Sequence, residues 1–221
     1  MLDGLPVRLP GRSMVALVAP HDHHRFAPTA TSSICSRTAC LRRASEPAGA
    51  IDGVVNCVGS VLLKPAHLTT PDEWNAAIAT NLTSAFATVR GAFPLMRKQG
   101  GSIVLLSTAA ARTGIPNHEA IAAAKAGVIG LMQSAAATYA ARNIRMNAVA
   151  PGLIQTTLTE RIWSNKTAAA ASRGMHALGR LGTPADVASL IAWLLQEDNG
   201  WITGQVFGVD GGLATLRGAQ T

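Results

Sequence analysis

The chain is poor in aromatic residues and in charge: aromatics make up 4% of its 221 residues and Asp, Glu, Lys and Arg together 14%. So little charge, set against 48% apolar residues, excludes a solvated, disordered chain and allows a large buried core. Cysteine is scarce too. Cys35, Cys40 and Cys57 are an odd set, with no CxxC pair and no Cys/His metal spacing, which points to free thiols in a reducing compartment. No run approaches the length of a membrane span, and the N-terminus lacks the basic-then-apolar order of a signal peptide. A cytoplasmic protein with no membrane partner is the expectation. The formal net charge of +7 suits nucleic acid in principle. The basic residues form no stripe beyond the arginine-scattered first fifty, and few aromatics could stack on bases, so no nucleic-acid partner is expected.

Residues 1–50 differ in texture from the rest. They carry Pro6, Pro10, Pro20, Pro28 and Pro47, the histidines His21, His23 and His24, and a polar run from Thr29 to Thr38. Only Met14 to Val18 reads as a strand. The histidines sit in a loop-like stretch with Asp22 as the only nearby carboxylate, a poor donor set, and no metal is expected. From residue 51 the pattern becomes regular. Ile51 to Cys57 reads as a buried strand. Thr70-Pro71-Asp72-Glu73 has the form of a capping box, opening one helix to about Arg97. A second long helix is expected from about Glu119 to Ala141, and a strand from Ile144 to Ala148. Residues 153–182 are rich in small residues and suit a mobile flap. Thr183-Pro184-Ala185-Asp186 opens a further helix, and Gln205 to Val209 is the last strand. Strands alternating with helices predict a parallel sheet covered on both faces. Ligands of such a sheet sit at the carboxyl ends of its strands, where Asn56, Ser107 and Pro151 fall.

The centre of this pattern is Ser102 to Lys125. Ile103 to Leu106 form a short buried strand that ends in the hydroxyls of Ser107 and Thr108. Asn117 is placed to cap the next helix. Ile121 and Lys125 lie four apart and share one helical face.

Asn56-Cys57-Val58-Gly59, Asn81, Ser107-Thr108, Lys125 in AAAKAG, Asn147 to Gly152 and Val209-Asp210-Gly211-Gly212 occur in an order and at intervals that resemble the short-chain dehydrogenase/reductase family, most closely its small reductases. The resemblance covers residues 51–213. It implies an α/β Rossmann-type, doubly wound parallel sheet, here with an incomplete N-terminal half. Residues 1–50 would form a divergent segment and 51–221 the Rossmann-like domain. The implied cofactor is NAD or NADP, the substrate a small carbonyl or alcohol, and the assembly a homodimer or homotetramer. By the same resemblance, Asn56 and Gly59 belong to the motif that braces the sheet near the adenosine. Asn81 helps hold a proton-relay water. Thr108 polarises the substrate carbonyl with Ser107 as its neighbour. Lys125 holds the nicotinamide ribose, and Pro151, Gly152, Ile154 and Thr156 cup the nicotinamide.

Two departures stand against an ordinary member. Where the family carries its proton-donating tyrosine, this chain has Ile121, which neither donates nor accepts a proton. Tyr139 lies fourteen residues past Lys125, roughly 21 Å along a helix, and cannot substitute. His118, three residues before Ile121 and seven before Lys125, can share that helical face and is a competent acid at neutral pH; the alternative is that it and Glu119 simply open the helix as exposed polar residues. The second departure is the absence of GxxxGxG among the fifty-five residues before Asn56. Ala19-Pro20 stands where a phosphate-binding turn needs glycine. The expectation is an NAD(P)-dependent oxidoreductase with impaired activity, or a catalytically dead relative acting as a binding or oligomer-partner scaffold.

Overall fold

The computed structural model describes the backbone of residues 14–17 and residues 51–216. Five strands form one parallel sheet: β1 (Met14–Leu17), β2 (Gly53–Asn56), β3 (Gly101–Leu106), β4 (Ile144–Pro151) and β5 (Val206–Val209). Their spatial order is the chain order, β1-β2-β3-β4-β5. The register brings the strand ends level, with Leu17 opposite Asn56, Asn56 opposite Leu105, and Leu106 opposite Val149. This is the Rossmann-type sheet expected from the sequence. Helices are α1 (Pro71–Ile78), α2 (Ser84–Met96), α3 (Glu119–Tyr139), α4 (Glu160–Trp163), α5 (Lys166–Met175) and α6 (Pro184–Leu195). The histidine cluster, Pro20, Cys35 and Cys40 lie outside the described residues.

Successive strand residues point to opposite faces, and here both faces are apolar. Val54, Ile103, Leu105, Ile144 and Met146 pack with Val89 and Met96 of α2 and Val128 and Met132 of α3. Val55, Val104 and Val149 face the other way, onto Leu194 and Leu195 of α6. A sheet buried on both sides accounts for the near-continuous apolar runs in its strands. Glu119–Arg142, α3 with its short continuation, is long and apolar enough to cross a membrane by length and composition, contrary to the expectation that no run is. Its buried stripe serves the core instead.

The helix expected over residues 70–97 is not continuous. The capping box at its start forms as expected, with the Thr70 hydroxyl accepting from Glu73 N and the Glu73 carboxylate accepting from Thr70 N. Residues Ala79–Thr83 then widen into a π turn between α1 and α2. Asn81 sits in that turn, and its Nδ2 donates to Ala77 O at 2.9 Å, so a side chain takes a carbonyl that a regular helix would serve by backbone. Asn117 does not cap α3. It adopts φ 63 and its carbonyl accepts from Lys64 N at 2.8 Å, while His118 occupies the cap position without a side-chain cap bond. Nor is 153–182 a loose flap. It contains α4 and α5, and Ile154 pairs with Gly182 in an isolated parallel bridge.

Candidate active site

Two groups of site residues stand at the carboxyl ends of the strands. The first gathers around Lys125, which the second turn of α3 holds against the end of β3. Lys125 is 7% exposed, and its Nζ donates to Leu106 O at 2.8 Å. Ser107 is buried, and its hydroxyl donates to Lys125 O at 2.9 Å. Strand end and helix turn are therefore tied by two bonds in opposite senses. The wide turn carries Asn81 into the same place. Its Nδ2 also donates to Ser60 Oγ at 3.0 Å, and its Oδ1 accepts from Ser60 N at 3.1 Å. Gly59 lies between them, where a Cβ would stand 3.2 Å from Asn81 Oδ1 and 3.5 Å from Lys125 Nζ. Asn56 Oδ1 accepts from Val58 N at 2.9 Å, which turns the chain off β2 toward Gly59. Asn56, Gly59, Asn81, Ser107 and Lys125 are thus brought together.

Burial pulls the Lys125 ammonium down to about 8, with the neighbouring Cys57 opposing slightly. Burial pushes the Cys57 thiol up to about 11, against the pull of Lys125. At neutral pH Cys57 is therefore an uncharged thiol and gives the lysine no counter-ion.

The second group lies at the ends of β4 and β5. Gly152 N donates to Val209 O at 3.1 Å. A Cβ on Gly152 would stand 2.5 Å from His176 Nε2 and 3.1 Å from Asp210 Cα, so only glycine fits without displacement. His176 is buried. Its Nδ1 lies 2.6 Å from Ser172 O and its Nε2 accepts from Leu153 N at 3.1 Å, which fixes the proton on Nδ1 and joins α5 to the loop after β4. Gln155 N donates to Gly182 O at 2.9 Å, and Thr156 O accepts from Trp163 Nε1 at 2.8 Å. Gly152, Ile154, His176, Arg180 and Asp210 line a cavity of about 460 Å³.

Thr108 connects the two groups. Its half-buried hydroxyl lies 3.5 Å from Pro151 O and accepts weakly from Ala110 N at 3.4 Å, which leaves it the least committed hydroxyl of the site. Ile121 is buried. His118 Nδ1 lies 2.7 Å from Pro116 O, so its ring is held on its own loop. Tyr139 stacks on Phe93 at 4.8 Å near the far end of α3. His176 and the wide turn at Asn81 are not legible in the sequence. A lone histidine before a glycine-rich stretch has no period to mark it, and a one-residue widening does not alter apolar spacing enough to show.

A family model described as enoyl-(acyl carrier protein) reductase matches residues 15–214. The chain is 42% identical over 168 residues to the 3-oxoacyl-(acyl-carrier-protein) reductase of Thermotoga maritima, covering 75% of this chain and 67% of that protein. It is 32% identical over 183 residues to a protein of Xanthobacter autotrophicus named inactive 2-(S)-hydroxypropyl-CoM dehydrogenase 2, covering 80% of each. Among solved structures, ElxO with NADP bound superposes with a TM-score of 0.78 at 31% identity, covering 86% of this chain and 78% of that one. Sheet, site and these likenesses agree, and the chain belongs to the short-chain dehydrogenase/reductase family.

Proposed function

We propose that the protein is an NAD(P)-dependent oxidoreductase that exchanges hydride with a small carbonyl or alcohol. The observation that carries this reading is the convergence of Gly59, Asn81 and Lys125 at the ends of β2 and β3. A side chain at position 59 would fill that space, and Lys125 keeps donors free in it. Those residues fit a polar, hydroxyl-rich ligand such as a nicotinamide ribose. A bound nicotinamide would supply or accept the hydride. Lys125 would hold the ribose, and Pro151, Gly152, Ile154 and Thr156 would position the ring through a loop that His176 keeps in shape. Thr108 would hold the substrate oxygen where negative charge develops. His118 is one candidate proton source, through its free Nε2 face.

NADP in ElxO supports the cofactor class. The chain spans 67% of the Thermotoga reductase, so substrate and whole-protein activity stay within this proposal. A homodimer or homotetramer and a cytoplasmic location belong to the same reading; light scattering and fractionation test them. A second reading is favoured by the buried Ile121 and by the inactive Xanthobacter relative: a scaffold that binds ligand or a sister chain without turnover. Titration of the purified protein with NADH and NADPH, followed by fluorescence, tests the first reading. No saturable binding of either nucleotide would leave only the second.

A further inference from the structure

We propose that Thr159 is a positioning residue that fixes the Thr156 hydroxyl as a hydrogen-bond acceptor, so that the loop after β4 takes a nicotinamide ring by its carboxamide N–H. This rests on the reading of that loop as the one that positions the ring. Thr156 stands just before the 3-10 turn Thr157–Thr159, which leads into α4, and both residues are half-buried. Their hydroxyl oxygens lie 3.1 Å apart, and by distance alone either could donate to the other. Their surroundings decide. Thr159 Oγ1 lies 2.5 Å from Ile154 O. A carbonyl only accepts, so the one hydroxyl proton of Thr159 is spent there. Thr156 O, at 3.3 Å, is a more distant acceptor for the same proton. Thr159 Oγ1 also accepts from Thr156 N at 3.2 Å. Toward Thr156 Oγ1 it therefore has a lone pair and no proton, and Thr156 is the donor. The bonds run one way, from Thr156 O–H to Thr159 Oγ1 and from Thr159 O–H to Ile154 O.

The rest of Thr156 is committed too. Its carbonyl accepts from Trp163 Nε1 at 2.8 Å and from Thr159 N at 3.2 Å. Even with one lone pair of Oγ1 turned to Thr159 N in the capping box, one remains. What Thr156 still offers a ligand is that lone pair and no proton. A hydroxyl held in this sense pairs with an N–H. It turns away a carboxylate or ketone oxygen, because two facing acceptors leave each other unpaired. An unrestrained hydroxyl has no such preference, since it rotates to give or to take. Thr159 thus sets the selectivity by acting through Thr156.

The test compares nucleotides that differ at one substituent of the pyridine ring: NADP+, its 3-acetylpyridine analogue and its nicotinic acid analogue, or the NAD+ series where that binds more tightly. The carboxamide offers N–H donors; the methyl ketone and the carboxylate offer none. Dissociation constants come from calorimetric titration of the full chain. The parent should bind the carboxamide at least about fivefold more tightly than the methyl ketone and at least about tenfold more tightly than the carboxylate. Thr159→Val keeps the shape, removes the hydroxyl and frees the Thr156 proton. Its preference for carboxamide over methyl ketone should fall below about twofold, and its affinity for the carboxylate should rise at least about threefold above the parent's. Thr159→Ser should restore the parent pattern. A loosened loop weakens every nucleotide together and cannot raise the affinity for one of them. Equal losses in Thr159→Val, or parent ratios kept in it, would therefore overturn the proposal. Should that variant fail to fold by circular dichroism, the parent ratios decide alone: no preference for the carboxamide over the other two overturns it. Absence of saturable binding by any of the nucleotides would instead overturn the reading of the site beneath it.

Discussion

Replacing Lys125 by methionine should make the protein more stable at neutral pH, and the gain should vanish in alkali. A lysine brought from its ordinary 10.5 to about 8 by burial carries roughly 3 kcal/mol against its charged form. Below pH 8 both folded and unfolded chains hold the proton, so this cost is fully present. Between about 8 and 10.5 the unfolded chain binds more protons than the folded one, and stability rises with pH. Above that window both are neutral and the cost is gone. Methionine removes the charge and the titration together, but it leaves Leu106 O without its 2.8 Å donor, a loss of about 1–2 kcal/mol. The net expectation is a gain of about 1–2 kcal/mol at pH 7, turning into a loss of similar size near pH 10.5. For a chain of this size the gain raises Tm by about 2–8 °C. Cys57, which titrates up to about 11, is common to both proteins and largely cancels in the difference. Calorimetry of the pair from pH 6 to 10.5 measures it. A methionine variant no more stable than the parent at pH 7, or a difference that stays flat with pH, would refute the claim that the ammonium is held at a thermodynamic cost.

Gly152→Ala should destabilise the protein by about 2–4 kcal/mol, because its Cβ meets His176 Nε2 and displacing that ring breaks one buried and one part-buried hydrogen bond. In Gly152→Ala/His176→Ala the ring is gone and only the 3.1 Å approach to Asp210 Cα remains, so the pair should cost less than the sum of the two single losses; additive losses in denaturant titrations would contradict this packing. Ile121→Tyr should raise carbonyl reduction with NADPH at least tenfold, and no gain despite unchanged NADPH affinity would show that the site lacks more than an acid. Asn165→Ala removes the cap whose Oδ1 accepts from Ala168 N at 3.0 Å, and should cost about 1 kcal/mol, read as a lower midpoint in urea.

Much of the fold is legible in the sequence because strong local signals agree with one another. Thr70 and Glu73 stand three apart beside Pro71, and the same chemistry recurs at Thr183, Pro184 and Asp186, so both helix starts are readable. The strands are readable because both sheet faces are apolar, which leaves short unbroken runs between glycines and hydroxyls. The hidden parts depend on contacts between distant residues. Asn117 has the composition of a cap, but its carbonyl is claimed by Lys64 and its backbone turns left-handed. The stretch from Leu153 onward reads as loose because its order comes from Gly182, Trp163 and His176, not from any periodic pattern. Lys125, Asn81 and Gly59 are legible through their order in the chain, whereas the uncommitted protons of the lysine show only in three dimensions.

The five-residue turn at Ala79–Thr83 also sets how the two ends of one long helical run face each other. Each residue added to or taken from a helix rotates the remainder by about 100°. Shortening this stretch by one would heal the coil into a single rod, yet swing the Thr70 end, and Glu73 with its 2.8 Å grip on Lys64, to another side of the molecule. The bulge is thus a phase adjuster: it lets one end of the rod clasp an outer loop while the other end beds into the sheet.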